Sequence, residues 1–113
     1  MTRAMAPAEQ AVWFALRVGA PSARTISAIC HETGLCRRDV EAALESLRAD
    51  LHEPICAGKL GYFDAASVAE LDAYLAAFDR RLRTMLRTRT GLRLARRRMQ
   101  DERTGQRTLG WVA

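Results

Sequence analysis

A chain of 113 residues, 49% hydrophobic and 27% charged, has room for one core and at most one appended element. That excludes a large active-site cleft, and the composition is that of a folded globular protein rather than a disordered or membrane chain. The formal charge of +5 is unevenly spread, with seven basic against eleven acidic side chains up to Asp79, then eleven arginines against Asp101 and Glu102 from Arg80 onward.

A pole this basic attracts phosphate or an acidic protein surface through its summed field. Three cysteines, an odd number, point to free thiols in a reducing compartment. The apolar stretch Ala11 to Leu16 is short and bounded by Glu9 and Arg17, unlike a secretion signal. Nothing approaches the ~18 consecutive apolar residues of a membrane span. A cytoplasmic protein with no membrane partner is expected.

In chain order, Pro7 precedes a run in which Ala11, Phe14, Ala15 and Val18 fall at i, i+3, i+4 and i+7, widened by Val12 and Leu16. The spacing predicts a helix ended by Gly19. Pro21 and Ser22 make a turn, and Thr25 caps a short second helix with Ile26, Ile29 and Cys30 inward. Gly34 suits the bend that follows. A third helix runs from about Arg37 to Ala49 with Val40, Ala43, Leu44 and Leu47 on one face. Pro54 then forbids helix, and Ile55-Cys56-Ala57 and Tyr62-Phe63 read as strands of a hairpin around Gly58-Lys59-Leu60-Gly61.

Ser67 and Glu70 form a capping-box pattern opening a long fourth helix. Along it Val68, Leu71, Leu75, Phe78, Leu82 and Met85 are spaced 3, 4, 3, 4 and 3, a heptad seam. Its first two turns are expected to pack on the three-helix core, while one of Trp13 and Phe14 covers the junction. Beyond Arg80 the seam needs another partner. Arg89 and Arg96 then take inner positions, and a break or kink is expected near Thr90-Gly91. Residues 101–113 read as a flexible tail, with Leu109-Gly110-Trp111-Val112 a frayed end or small docking motif.

Three helices followed by a hairpin, with a glycine between the second and third helices, is the order of a winged helix-turn-helix. The fold expected is therefore mainly α: such a domain over 1–66, then a basic helix over 67–100. The segment ARTISAICHETGLCRRDVEAALESL resembles bacterial and phage helix-turn-helix proteins, with Ile26, Ile29, Gly34, Leu35, Val40, Leu44 and Leu47 at core and turn positions. The hairpin EPICAGKLGYF resembles the wing of that class, including the biotin-repressor type. The continuation from Tyr62 through Arg98 is similar to small prophage-encoded winged-helix proteins of replication or regulation. The resemblance covers roughly 90 residues.

It implies double-stranded-DNA binding without enzymatic activity, by a regulator or a replication or recombination accessory. The third helix of such a domain enters the major groove. Opposite Val40, Leu44 and Leu47 lie Arg38, Ala42, Glu45 and Ala49, flanked by Glu41, so Arg38 and Arg37 are the base-reading candidates. Ser22, Arg24 and Thr25 are placed near phosphate at the start of the second helix, and Lys59 at the wing tip. Two carboxylates on the reading face, Glu41 and Glu45, count the other way. They keep open an adaptor whose basic helix binds an acidic protein.

Nine arginines crowd the stretch 80–98 without an acid: Arg80, Arg81, Arg83, Arg87, Arg89, Arg93, Arg96, Arg97 and Arg98 are candidate phosphate contacts. No aromatic interleaves them, which disfavours single-strand or RNA stacking. Leu71, Leu75, Phe78, Leu82 and Met85 are candidate dimerisation residues. Arginines flanking that row favour antiparallel or crossed pairing. Cys30, His31, Cys36, His52 and Cys56 contain no CxxC pair, so no metal is expected. Gly58 to Gly61 matches the GxxG of KH domains but lies between strands instead of helices. With no nucleophile elbow, P-loop or HExxH, neither an enzyme nor a cofactor is implied.

Overall fold

The computed structural model describes residues 3–103, so Leu109 to Val112 and the rest of 104–113 lie outside the described residues. The chain is mainly helical, with α1 over Pro7–Ala15, α2 over Ile26–Thr33, α3 over Arg37–Ala49 and α4 over Val68–Arg103. A two-stranded antiparallel hairpin, β1 (Ile55–Gly58) and β2 (Gly61–Asp64), separates α3 from α4. Two compact units divide the chain, Met1–Leu75 and Ala76–Ala113.

In the first unit α1, α2, α3 and the hairpin close over Val12, Ala15, Leu16, Ile29, Val40, Ala43, Leu44, Leu47, Leu51 and Ile55. Local chemistry sets the boundaries. Thr25 Oγ1 accepts from the Ala28 N–H at 3.1 Å and starts α2, and Gly34, at φ 76°, ends it in the left-handed conformation that an L side chain resists. α3 buries the four apolar positions that its spacing predicts, Val40, Ala43, Leu44 and Leu47.

The first helix departs from its pattern. α1 stops at Ala15, and Leu16 is already extended, because the backbone from Arg17 to Arg24 is drawn to the edge of β2. Asp64 N–H donates to Arg17 O, Gly19 N–H to Asp64 O, and Arg24 and Tyr62 exchange a reciprocal pair at 2.8 and 2.7 Å. This approach is why position 61 is glycine: a Cβ there would sit 2.1 Å from the Arg24 carbonyl oxygen, at φ 122°. The buried stripe is accordingly Glu9, Val12 and Ala15, continued by Leu16. Phe14 and Val18 are exposed. Phe14 does not cover a junction; it lies edge-on to Trp13, which packs on the core.

α4 begins as expected in part. Ser67 Oγ accepts from Glu70 N–H at 3.1 Å, but the Glu70 carboxylate serves the N–H groups of Ala66 (2.7 Å) and Ala20 (3.3 Å), tying the helix start to the turn over Ala20–Ser22. In these first turns Leu71 and Tyr74 are half-buried while Val68 and Leu75 are exposed. The Tyr74 hydroxyl and ring receive Arg48 from α3, so the face turned to the core is shifted from the heptad row.

Further on α4 continues through Thr90 and Gly91 without a break and on to Arg103. One glycine costs about 1 kcal/mol relative to alanine, too little to interrupt a helix of arginine, leucine and alanine. At ~1.5 Å per residue the 36 residues extend about 54 Å.

Candidate nucleic-acid interface

In the first unit the candidates sit on three elements. On α3, Arg37, Arg38, Glu41, Ala42, Glu45 and Ala49 are all exposed, with Arg38, Ala42, Glu45 and Ala49 on the face opposite the buried row and Arg37 and Glu41 at its flank. Arg37 Nε donates to Glu41 Oε1 at 2.7 Å. This i,i+4 pair offsets one of the two carboxylates on that face and occupies one of its two arginines, leaving Arg38 as the arginine available for a two-pronged contact and Glu45 as the opposing charge.

Before α2 the three phosphate candidates separate. Ser22 is exposed in its 3-10 turn, whereas the Thr25 hydroxyl is occupied as a cap. The Arg24 side chain is engaged within the fold. Its guanidinium donates to Ala15 O at 3.2 Å and pairs with Glu32, whose carboxyl is held below its ordinary range by Arg24 first and Arg17 further off. Arg24 thus joins the end of α1 to α2, beneath the backbone bridge it makes with Tyr62. Lys59 stands exposed with Leu60 at the tip of the hairpin, between the paired Gly58 and Gly61.

In the second unit Arg80, Arg81, Arg83, Arg87, Arg89, Arg93, Arg96, Arg97 and Arg98 are all exposed along α4. At ~100° per residue they spread around the helix, with Arg81, Arg93 and Arg97 at the flanks of the apolar row. Arg80, Arg83, Arg87 and Arg98 lie on the side away from Phe78, Leu82, Met85 and Leu92, whereas Arg89 and Arg96 fall within that apolar row. Met85, Arg89, Leu92 and Arg96 line one shallow depression. The apolar residues themselves are exposed, Leu75 at 47%, Phe78, with Arg81 over its ring, at 43%, Leu82 at 46% and Met85 at 68%; Leu71 is half-buried.

The thiols and imidazoles do not assemble. Among the described residues no three His, Cys, Asp or Glu side chains form a metal-holding group. Cys56 is buried in the hairpin, and burial pushes its thiol up, away from the reactive thiolate. No helix among the described residues is long and apolar enough to cross a membrane.

Sequence reasoning overlooked one buried group, Glu9, the only buried charged residue described. Arg3 grips it with two hydrogen bonds, 2.8 and 2.6 Å, and Ala6 N–H adds a third at 2.8 Å. These hold the carboxyl down to about 2, the Arg3 contact contributing most. The signal available was an acid in the first turn of a helix three residues after Ala6, where free backbone N–H groups favour a carboxylate. Compared with known proteins, the chain matches no family model, no curated protein and no solved structure.

Proposed function

We propose that this chain is a non-enzymatic, cytoplasmic double-stranded-DNA-binding protein of the winged helix-turn-helix type, dimeric through α4, serving as a regulator or as a phage-type replication or recombination accessory. One observation carries the reading: nine exposed arginines on one helix, with no acid among them. A DNA duplex is the partner whose charge density suits such a row. The order of three helices and a hairpin, with β2 bridged to the segment before α2, supports the winged helix-turn-helix assignment. In that arrangement α3 presents Arg38 to base edges and the hairpin tip presents Lys59 to the backbone.

A titration against random and genomic duplexes at several salt concentrations tests it. Phosphate contacts on the order of 6 to 8 give a slope of log K against log salt of roughly −5 to −7. A flat response, or no binding at low salt, removes the DNA reading. It would promote the adaptor, which the exposed Glu45 on α3 favours and in which the arginines face an acidic protein.

A further inference from the structure

We propose that α4 pairs with α4 of a second copy in an antiparallel seam of one defined register, in which Arg89 of each copy lies across the ring of the partner's Phe78 and Asp72 of each copy stands beside the partner's Arg93. The inference rests on the dimeric reading above and adds direction, register and a purpose for the two arginines that interrupt the apolar row.

The row runs Leu71, Leu75, Phe78, Leu82, Met85, Arg89, Leu92, Arg96, Met99 with alternating spacings of four and three, on a helix without interruption. Leu75, Phe78, Leu82, Met85, Leu92 and Met99 are each more than two-fifths exposed. A parallel, in-register pair would set Arg89 against the partner's Arg89 and Arg96 against the partner's Arg96. Each layer would then set like charges side by side at the seam, which opposes association.

An antiparallel pair has only a few registers that keep the row facing itself, and charge separates them. In the favoured register Leu82 packs on the partner's Met85 at the centre, Phe78 faces the partner's Arg89, and Leu75 faces the partner's Leu92. The two Arg89 side chains then start about 16 Å apart along the axis, beyond the ~8 Å screening length of physiological salt. Phe78 already takes Arg81 of its own chain at 5.7 Å, a range at which an aromatic ring accepts cations, so the partner's Arg89 takes the ring face that Arg81 leaves open. The Arg89 stem covers apolar surface while its head reaches water.

The flanking positions agree. Asp72, exposed at the acidic start of α4, falls opposite the partner's Arg93, also exposed. Shifting one heptad in one direction brings the two Arg89 within ~6 Å along the axis. Shifting one heptad in the other opposes Asp79 to the partner's Asp79. Only the middle register has neither repulsion.

Cysteine cross-linking of the full chain, without DNA, tests direction and register together. Leu75→Cys and Leu92→Cys are made separately in a Cys36→Ser background, because Cys36 is exposed, and treated with a short bifunctional thiol reagent alone and mixed. The mixture should yield a cross-linked heterodimer well above either protein alone. Efficient self-cross-linking of L92C, whose two copies lie ~25 Å apart in this seam, means parallel helices and overturns the proposal. So does a Leu82→Cys and Leu92→Cys mixture that links better than the first, since it reports the neighbouring register. A dimer by light scattering that yields no Leu75-to-Leu92 product overturns it as well.

As an independent measurement, Asp72→Arg should weaken the dimer about three- to tenfold, the scale of two exposed ion pairs lost, and adding Arg93→Asp should restore it. Weakening without rescue counts against the pairing. A monomer by light scattering removes the dimeric reading itself and this inference with it, while the salt titration judges DNA binding separately.

Discussion

Glu9 shows how much a single buried charge can be made to depend on its neighbours. A carboxylate held by Arg3 and the Ala6 N–H keeps its charge down to about pH 2, against an ordinary value of 4.5. Because the folded value is depressed, its stabilisation is fully present above 4.5 and is lost as pH falls toward 2. Replacing Glu9 by Gln should therefore lower the melting temperature at neutral pH, with the difference from the unmodified protein shrinking below pH 4.5 and vanishing near pH 2. Melting curves across that range check it, and a pH-independent difference would assign the effect to packing. Asp64 is the opposite case: its Oδ1 is buried without a hydrogen-bond partner, and burial pushes the carboxyl up. Glu9 carried a local signal, an acid three residues after Ala6 in the first turn of α1 with Arg3 six residues away, whereas Asp64 depends on what long-range folding places beside it.

At the scale of elements, the arginines of α4 and the arginine of α3 should behave differently. Arg38 stands on the face of α3 opposite the core, where a contact with a base edge is worth about 1 to 3 kcal/mol and depends on sequence. Arg83 and Arg87 lie on the side of α4 away from the apolar row, beside Leu86 and Leu94, and on the DNA reading proposed above they contact phosphate. Arg38→Ala should weaken a preferred site by about 1 to 3 kcal/mol and relax specificity at one position, whereas Arg83→Ala should weaken all duplexes alike and reduce the salt slope by about one. Competition binding with a selected site and random DNA distinguishes them; equal losses on both for Arg38→Ala mean that α3 reads no bases.

The elements themselves were largely legible. The bounds of α2 and α3 and the strands of the hairpin follow from a threonine cap, a glycine stop, a proline and periodicity, all of which act within a few residues. What local pattern misplaced was α1, where pairing to β2, more than forty residues away in sequence, overrides helical spacing after Ala15. Gly91 misled in the other direction, because a weak local penalty was weighed without the long helical run on either side of it.

For the whole molecule, the decisive fact is that α4 touches the core only through half-buried residues of its first turns, Leu71 and Tyr74. The buried cluster draws on α1, α2, α3, Leu51 and Ile55, and α4 has no buried residue among those described. The exposed row on α4 is thus apolar surface that the buried core does not use, which is the ground for proposing it as an association site. Replacing Leu75 and Leu82 together by lysine, as good a helix former as leucine, removes the row's centre and touches no core position. The variant should keep its helical circular dichroism and, as exposed substitutions usually do, change stability by no more than about 0.5 kcal/mol per site. It should also run as a monomer in light scattering. Two linked reading heads bind with an effective concentration that single heads lack, so DNA affinity should fall by at least about tenfold. A variant that unfolds, or an unmodified protein that is monomeric at high concentration, would mean that the row is internal packing and that the dimer must be abandoned.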